Sequence, residues 1–290
     1  MQNLTFRFSA DHEPALHDCN LALTRGSRCL LIGANGAGKS TILRLLAGKR
    51  MPTKDSYMRV FGKDVFHDAP RGITYLGTEW AMNPVVRSDI KVSVFLDSVG
   101  GYRHKERRDQ LLDILDVDVN WRMHSISDGE RRRVQLTMGL MEPWDLLLLD
   151  EVTVDLDVQV RADLLAFLTQ ETKTRGATII YATHIFDGLQ NFPTQVVHMQ
   201  HGSITTREPI AWPPRQQDRD SGTLPVLDAS EDDSSILLQT ALAWLREDRQ
   251  IRIKNEQEKL GKKTRGAKRG EETDSERFFS KYDYSQNVAR

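Results

Sequence analysis

The sequence predicts an α/β fold with a largely parallel central sheet, on three observations. Short apolar runs of strand length alternate with longer segments of helical period. One such run, RCLLIG (28–33), passes through a glycine-rich turn directly into an amphipathic helix at 39–47. Another, DLLLLD (145–150), ends in an acid and is followed by a helix at 157–172 and a further strand, ATIIYAT (177–183).

The remaining elements follow in chain order. LTFRF (4–8) and CNLAL (19–23) alternate apolar and polar residues and read as antiparallel strands at the N-terminus. More strands are expected near 57–61 and 73–77. From about 79 to 143 the pattern is mainly helical and reads as an inserted helical subdomain, with residues 104–116 at clear helical spacing. TQVVHMQ (194–200) reads as a strand, and HGSITT (201–206) as a hairpin turn with a final strand. The main domain therefore covers 1–208. Residues 209–233 are proline-rich and polar and read as a linker. A helix over 234–258 follows, with Asp232, Asp233 or Ser234 as its cap. The tail, 259–290, is basic and then polar, and is expected to be disordered. No internal repeat is visible.

Composition narrows the function classes. A net charge of −1 over 290 residues gives no global pull toward nucleic acid or membrane. No apolar run approaches the roughly 18 to 20 residues that span a bilayer. The first ten residues lack the apolar core of a signal peptide. Two cysteines, Cys19 and Cys29, read as buried thiols in a reducing compartment. A soluble intracellular protein is expected.

The chemistry concentrates in three places. GANGAGKST (33–41) matches the G-x-x-x-x-G-K-[ST] phosphate loop at every fixed position, after a strand and at the start of a helix. Gly33, Ala34, Asn35, Gly36, Ala37 and Gly38 would curl backbone N–H groups around a β-phosphate. Lys39 would reach the β and γ phosphates, with Ser40 on Mg²⁺ and Thr41 beside it. Asp150, ending its strand, would hold Mg²⁺ through water, and Glu151 would polarise an attacking water. His184, just past ATIIYAT, leaves the same edge of the sheet and is placed to touch a γ-phosphate. ATP and Mg²⁺ are the cofactors this set implies.

In this order the motifs resemble those of the ATP-binding cassette (ABC) ATPases, P-loop NTPases with a RecA-like core, over roughly residues 1–208. The resemblance makes GANGAGKST the Walker A motif, LLLLDE (146–151) Walker B with its glutamate, VDLD (154–157) the D-loop and His184 the switch histidine. It implies that Phe8 stacks on adenine, with Phe6 as the alternative. SISDGERRR (125–133) falls at the signature. In that family two cassettes meet head to tail, so Ser127 and Gly129 would act on nucleotide bound by the opposite cassette. A homodimer or a pairing with another cassette follows.

Departures from the family pattern are specific. Thr78 stands where the coupling glutamine is usual, with Glu79 beside it. Threonine has a shorter reach, which puts transporter-style coupling in doubt. Val152 replaces a common proline. The signature reads Ile126-Ser127-Asp128-Gly129-Glu130 in place of Leu-Ser-Gly-Gly-Gln. Asp128 adds a negative charge whose repulsion of a phosphate about 8 Å away costs roughly 2 kcal/mol at an effective dielectric near 20. Ser127 and Glu130 have capping-box spacing. Arg131, Arg132 and Arg133 either offset these acids or form an ordinary solvated basic face. A slow ATPase is expected.

YLGTEW (75–80), SISDGERRR and DEVTVDLD (150–157), with the appended helix, resemble a small branch of soluble eukaryotic ABC proteins. Its yeast member associates with the Ccr4-Not type transcription-regulatory and deadenylase complex. Fungal members usually carry more chain before LTFRF, which implies a short N-terminus here. The branch implies protein partners in a regulatory complex, no transmembrane partner, and a cytoplasmic and nuclear location. Two readings compete with it. One is the nucleotide-binding subunit of a transporter with a separate transmembrane chain. The other is an RNA- or ribosome-associated factor contacting nucleic acid through 259–270.

Overall fold

In the computed structural model, the structure describes residues 1–9, 11, 13–53, 56–82, 84–215, 224–225, 235–260, 275 and 278. The chain divides into two compact units, Met1–Arg246 and Glu247–Arg290. In the first, the strands are β1 (Leu4–Phe6), β2 (Leu16–Cys19), β3 (Arg28–Ile32), β4 (Arg59–Val60), β5 (Lys63–Asp64), β6 (Ile73–Leu76), β7 (Leu146–Asp150), β8 (Thr178–Ala182), β9 (Gln195–Gln200), β10 (Ser203–Ile204) and β11 (Ile210–Ala211). The helices are α1 (Lys39–Leu46), α2 (Val92–Ser98), α3 (Lys105–Ile114), α4 (Asp128–Leu140), α5 (Val158–Arg175) and α6 (Ile236–Leu260), the last of which runs on into the second unit. Short 3₁₀ turns at Thr78–Met82, Pro84–Arg87 and Gly101–His104 break up the helical insertion.

β9, β3, β8, β7 and β6 pair in parallel in that order. β10 and β11 add antiparallel edges to β9. All five residues of β3, β7 and β8 are buried, as expected of strands covered on both faces. Their side chains alternate between two apolar clusters. Leu30, Ile32, Leu147, Leu149, Ile179 and Tyr181 face the cluster built with α2 to α5. Cys29, Leu31, Leu146, Leu148, Ile180 and Ala182 face the cluster built with α1 and the N-terminal strands. Each fully buried leucine contributes roughly 1.5 to 3 kcal/mol of burial. The helical insertion is tied to the core by Arg107, which donates to the Leu140 carbonyl (2.7 Å) and pairs with Glu171 of α5 (2.6 Å).

Three expectations shift. The second strand is Leu16–Cys19, not 19–23. Its burial runs in-out-out-in, with Asp18 at φ 44°, so a bulge breaks the period-two pattern and cross-strand pairing with β1 sets the register. The expected linker does not begin at 209. Ile210 and Ala211 pair with β9, and Trp212 is buried with its indole N–H on the Gln190 carbonyl (3.0 Å). The C-terminal helix is capped by Ser235, whose hydroxyl accepts from the Leu238 N–H (3.2 Å); Asp232, Asp233 and Ser234 lie outside the described residues. Leu237, Ala241 and Trp244 pack into the core cluster, and Trp244 stacks flat on buried His198 at 4.8 Å. In the second unit the described helix carries i,i+4 ion pairs, Arg252–Glu256 and Lys254–Glu258. Residues 261–270 of the basic tail lie outside the described residues. Both cysteines are buried and free, and burial pushes the Cys29 thiol up to about 12.

Candidate active site

Parallel sheets gather ligands at the carboxyl ends of their strands, where the chain order reverses. Here Leu31 of β3 and Asp150 of β7 both register with Ala182 of β8. The segments that follow these strands, beginning at Gly33, Glu151 and Thr183, therefore emerge at one level. The loop after β3 closes against its neighbours. Gly38 sits at φ 100°, where any side chain is strained, and a Cβ there would lie 2.6 Å from Leu16 Cδ2, which favours glycine. α1 starts immediately after it with no side-chain cap, leaving its first N–H groups for an anion. Lys39 is buried and donates to the Gly33 carbonyl (2.8 Å) and the Ala34 carbonyl (3.2 Å).

A cleft of about 420 Å³ opens above this loop. Asn35, Gly36 and Gly38 through Thr41 line it, together with Phe8, Arg44, Thr78, Asp150 and Glu151. Its size is that of small-ligand sites. A larger cavity of about 600 Å³, walled by Leu21, Leu46, Tyr57, Phe61 and Ile180, contains neither the loop nor these acids. Phe8 is 55% exposed on the cleft, with Arg50 over its ring at 5.1 Å. Phe6, the alternative aromatic, is buried in the core and touches Phe8 edge-on.

Ser40 donates to Asp150 Oδ1 at 2.9 Å. A hydroxyl and a carboxylate are hard oxygen donors, and Mg²⁺ commonly takes few protein ligands beside phosphates and water, so the pair fits that ion. Glu151 has φ 55°, uncommon for a residue with a side chain, while its N–H donates to the Ala182 carbonyl (2.9 Å). Its Oε1 lies 3.2 Å from His184 Nδ1. The next turn is pinned by a hydrogen bond between Thr153 and Tyr181, and Val152 is fully buried.

The signature residues do not line this cleft. Ser127 caps α4 in a complete capping box: Glu130 Oε2 accepts from the Ser127 N–H (2.8 Å) and hydroxyl (2.7 Å), and the Glu130 N–H donates to Ser127 Oγ (3.2 Å). The Ser127 bonds hold the Glu130 carboxyl below its usual range. The three arginines are not a solvated face. Arg131 is 7% exposed, pairs with Asp128, and donates to the carbonyls of Ile126 (2.9 Å) and Met123 (3.3 Å). Arg133 bridges Asp116 (3.0 Å) and Asp157 (2.6 Å). Arg132 reaches Gln135 and the Gly77 carbonyl, with Asp155 at 3.8 Å. Helix interiors and neighbouring loops absorb the charges that a linear reading assigns to solvent.

Two residues escaped the sequence reading. Tyr75 donates its hydroxyl to Asp150 Oδ2 (3.0 Å), and burial, then the Asp150 charge, push it up to about 12. Arg44, beside that hydroxyl, pairs with Glu79 at 2.7 Å. The available signal was position: Tyr75 lies on the strand that delivers Thr78 to the cleft.

Comparison with known proteins agrees with this geometry. The family model described as ABC transporter matches residues 16–154. "CCR4-associated factor 16" of Saccharomyces cerevisiae is 48% identical over 220 residues, covering 70% of this chain and 76% of that protein. "ABC transporter I family member 20" of Arabidopsis thaliana is 42% identical over 260 residues, covering 85% and 73%. An ATP-binding subunit of an ABC transporter shares the fold at TM-score 0.62 and 20% identity, covering 76% of this chain and 92% of that one. A dimeric ATP-binding cassette in a post-hydrolysis state, bound to ADP and Pi, shares it at TM-score 0.60 and 19% identity, covering 70% and 95%.

Proposed function

The chain belongs to the ATP-binding cassette ATPase family, and from that premise we propose that it binds Mg-ATP in the 420 Å³ cleft and hydrolyses it in a head-to-tail pair of cassettes. The observation that carries this reading is the convergence of the phosphate loop, the Ser40–Asp150 pair and the Glu151–His184 pair at one sheet edge. Phe8 offers its exposed ring to the adenine. The N–H groups of the loop and α1 hold the phosphates, and Lys39 turns from its own loop carbonyls onto the β and γ oxygens. Ser40 and Asp150 would hold Mg²⁺ here, and the ion when bound would offset charge on those oxygens. Glu151 accepts the proton of the attacking water, and His184 fixes the carboxylate and steadies the γ-phosphate. Ser127 and Gly129 act on the nucleotide of the opposite cassette. Their absence from their own cleft supports that assignment.

The work of the cycle lies in gene expression, within a complex regulating transcription and mRNA deadenylation, in cytoplasm and nucleus. The 48% identity with the yeast protein named for association with CCR4 supports this. Among the described residues no helix is long and apolar enough to cross a membrane. The test is purification of full-length Glu151→Gln with ATP. An ATP-dependent dimer that retains nucleotide, accompanied by deadenylase or transcription regulators, is expected. A polytopic membrane chain in their place would support the transporter reading. Wild-type turnover in this variant would sink the mechanism.

A further inference from the structure

We infer that Tyr75, Gly77 and Gln135 form a positioning link from the Mg²⁺-organising carboxylate Asp150 to the signature helix α4, in place of a glutamine at position 78. This rests on the Mg-ATP reading of the cleft. Both oxygens of Asp150 are taken by hydroxyls. Ser40 holds Oδ1 at 2.9 Å and Tyr75 holds Oδ2 at 3.0 Å. Lys49 sits over the Tyr75 ring at 4.6 Å, so the phenol is fixed on two sides.

The link then passes through the backbone. A Cβ on residue 77 would lie 2.5 Å from the Tyr75 hydroxyl oxygen and 2.8 Å from its ring carbon. Any side chain there would push the phenol off Asp150, so Tyr75 and Gly77 are a matched pair. The Gly77 carbonyl accepts from Gln135 Nε2 at 2.8 Å and from Arg132 at 3.3 Å. Gln135 is 2% exposed and its Oε1 accepts from Arg132 at 2.5 Å, so the amide has one orientation. A Cβ on Gly139 would meet Leu76 at 2.3 Å, which brings α4 close to β6 one turn further on. Gln135 lies eight residues past Ser127 on the same capped helix, about 12 Å at 1.5 Å per residue. A change at Asp150 is thus delivered to the helix that presents Ser127. Arg44–Glu79 ties the 3₁₀ turn that begins at Thr78 to α1.

The test uses the full chain with fluorescent mant-ATP, with and without Mg²⁺, and ATP-driven dimerisation as a second readout. Tyr75→Phe keeps the ring and removes the hydroxyl's bonds to the Asp150 carboxylate and to Arg44. It should raise half-saturating Mg²⁺ by about tenfold while leaving Mg-free binding of mant-ATP unchanged. Gly77→Ala should reproduce that shift by a different route, and combining the two should add nothing. Gln135→Leu should leave Mg²⁺ dependence intact and weaken ATP-driven dimerisation by about tenfold. Adding Tyr75→Phe to it should weaken dimerisation no further. An unchanged Mg²⁺ midpoint in Tyr75→Phe, or additive effects of Tyr75→Phe and Gln135→Leu on dimerisation, overturns the link. If wild type binds mant-ATP with no response to Mg²⁺, the underlying reading of the cleft fails instead.

Discussion

The phosphate loop and the signature turn both sit at helix N-termini, yet they treat charge in opposite ways. At α1 the sequence supplies no capping side chain, and the one cation at the start of the helix rests on carbonyls of its own loop. That arrangement is suited to exchange its contacts for phosphates. At α4 the capping residue and its neighbours already carry carboxylates. Glu130 takes the Ser127 N–H and hydroxyl, and Asp128 takes Arg131. The first site is built to receive an anion, whereas the second carries its own. The acids of the signature are therefore local structure and, in the proposed cassette pair, a barrier to an arriving phosphate as well.

The largest effect expected from breaking this contrast is at the loop. Lys39→Ala removes charge-assisted contacts worth about 1.5 to 3 kcal/mol, so mant-ATP affinity should fall by about 10- to 150-fold with the melting temperature little changed. At the signature, Arg131→Met strips donors from the Ile126 and Met123 carbonyls and from Asp128. Urea denaturation should show a loss of about 2 kcal/mol, which a solvated arginine would not give. Asp128→Gly sharpens the comparison further. Unscreened repulsion of roughly 2 kcal/mol would predict a gain of about thirtyfold in turnover. The Arg131 pairing reduces this, and phosphate release should rise only about two- to threefold. A thirtyfold gain would show that the ion pair does not shield the site.

The smallest effect concerns pH. Glu130 is held below its usual range by its Ser127 bonds. Its contribution is complete above the unfolded carboxyl value, near pH 4.5, and is lost as pH falls through the lower folded value. Glu130→Gln keeps an acceptor without the charge. The melting-temperature gap between wild type and this variant should close on acidification from pH 6 to below 4. A constant gap would mean that the carboxylate charge does not strengthen the box.

Much of this was readable from residues in line. The phosphate loop works through backbone groups of consecutive residues, so its pattern and its flanking strand and helix were legible together. The same holds for the Ser127–Glu130 box, whose two members are three residues apart. The β7 acid pair was legible because a run of buried leucines must stop where the strand leaves the core. Elements failed where periodicity did: the bulge at Asp18 moved β2, and the pairing of Ile210–Ala211 pulled the start of a polar segment into the sheet.

The sequence by itself determined the fold class, the order of the main strands and helices, and the loop, acids and histidine that meet at one sheet edge. Each of these depends on local period or on groups adjacent in the chain. Only the tertiary structure decided that Phe8 faces the cleft while Phe6 is buried, that Arg131 to Arg133 are spent on internal carbonyls and acids, and that Tyr75 touches Asp150 across 75 positions. Those outcomes depend on which side chains the packing of β6, β7 and α4 brings within hydrogen-bond distance. No spacing along the chain encodes that distance.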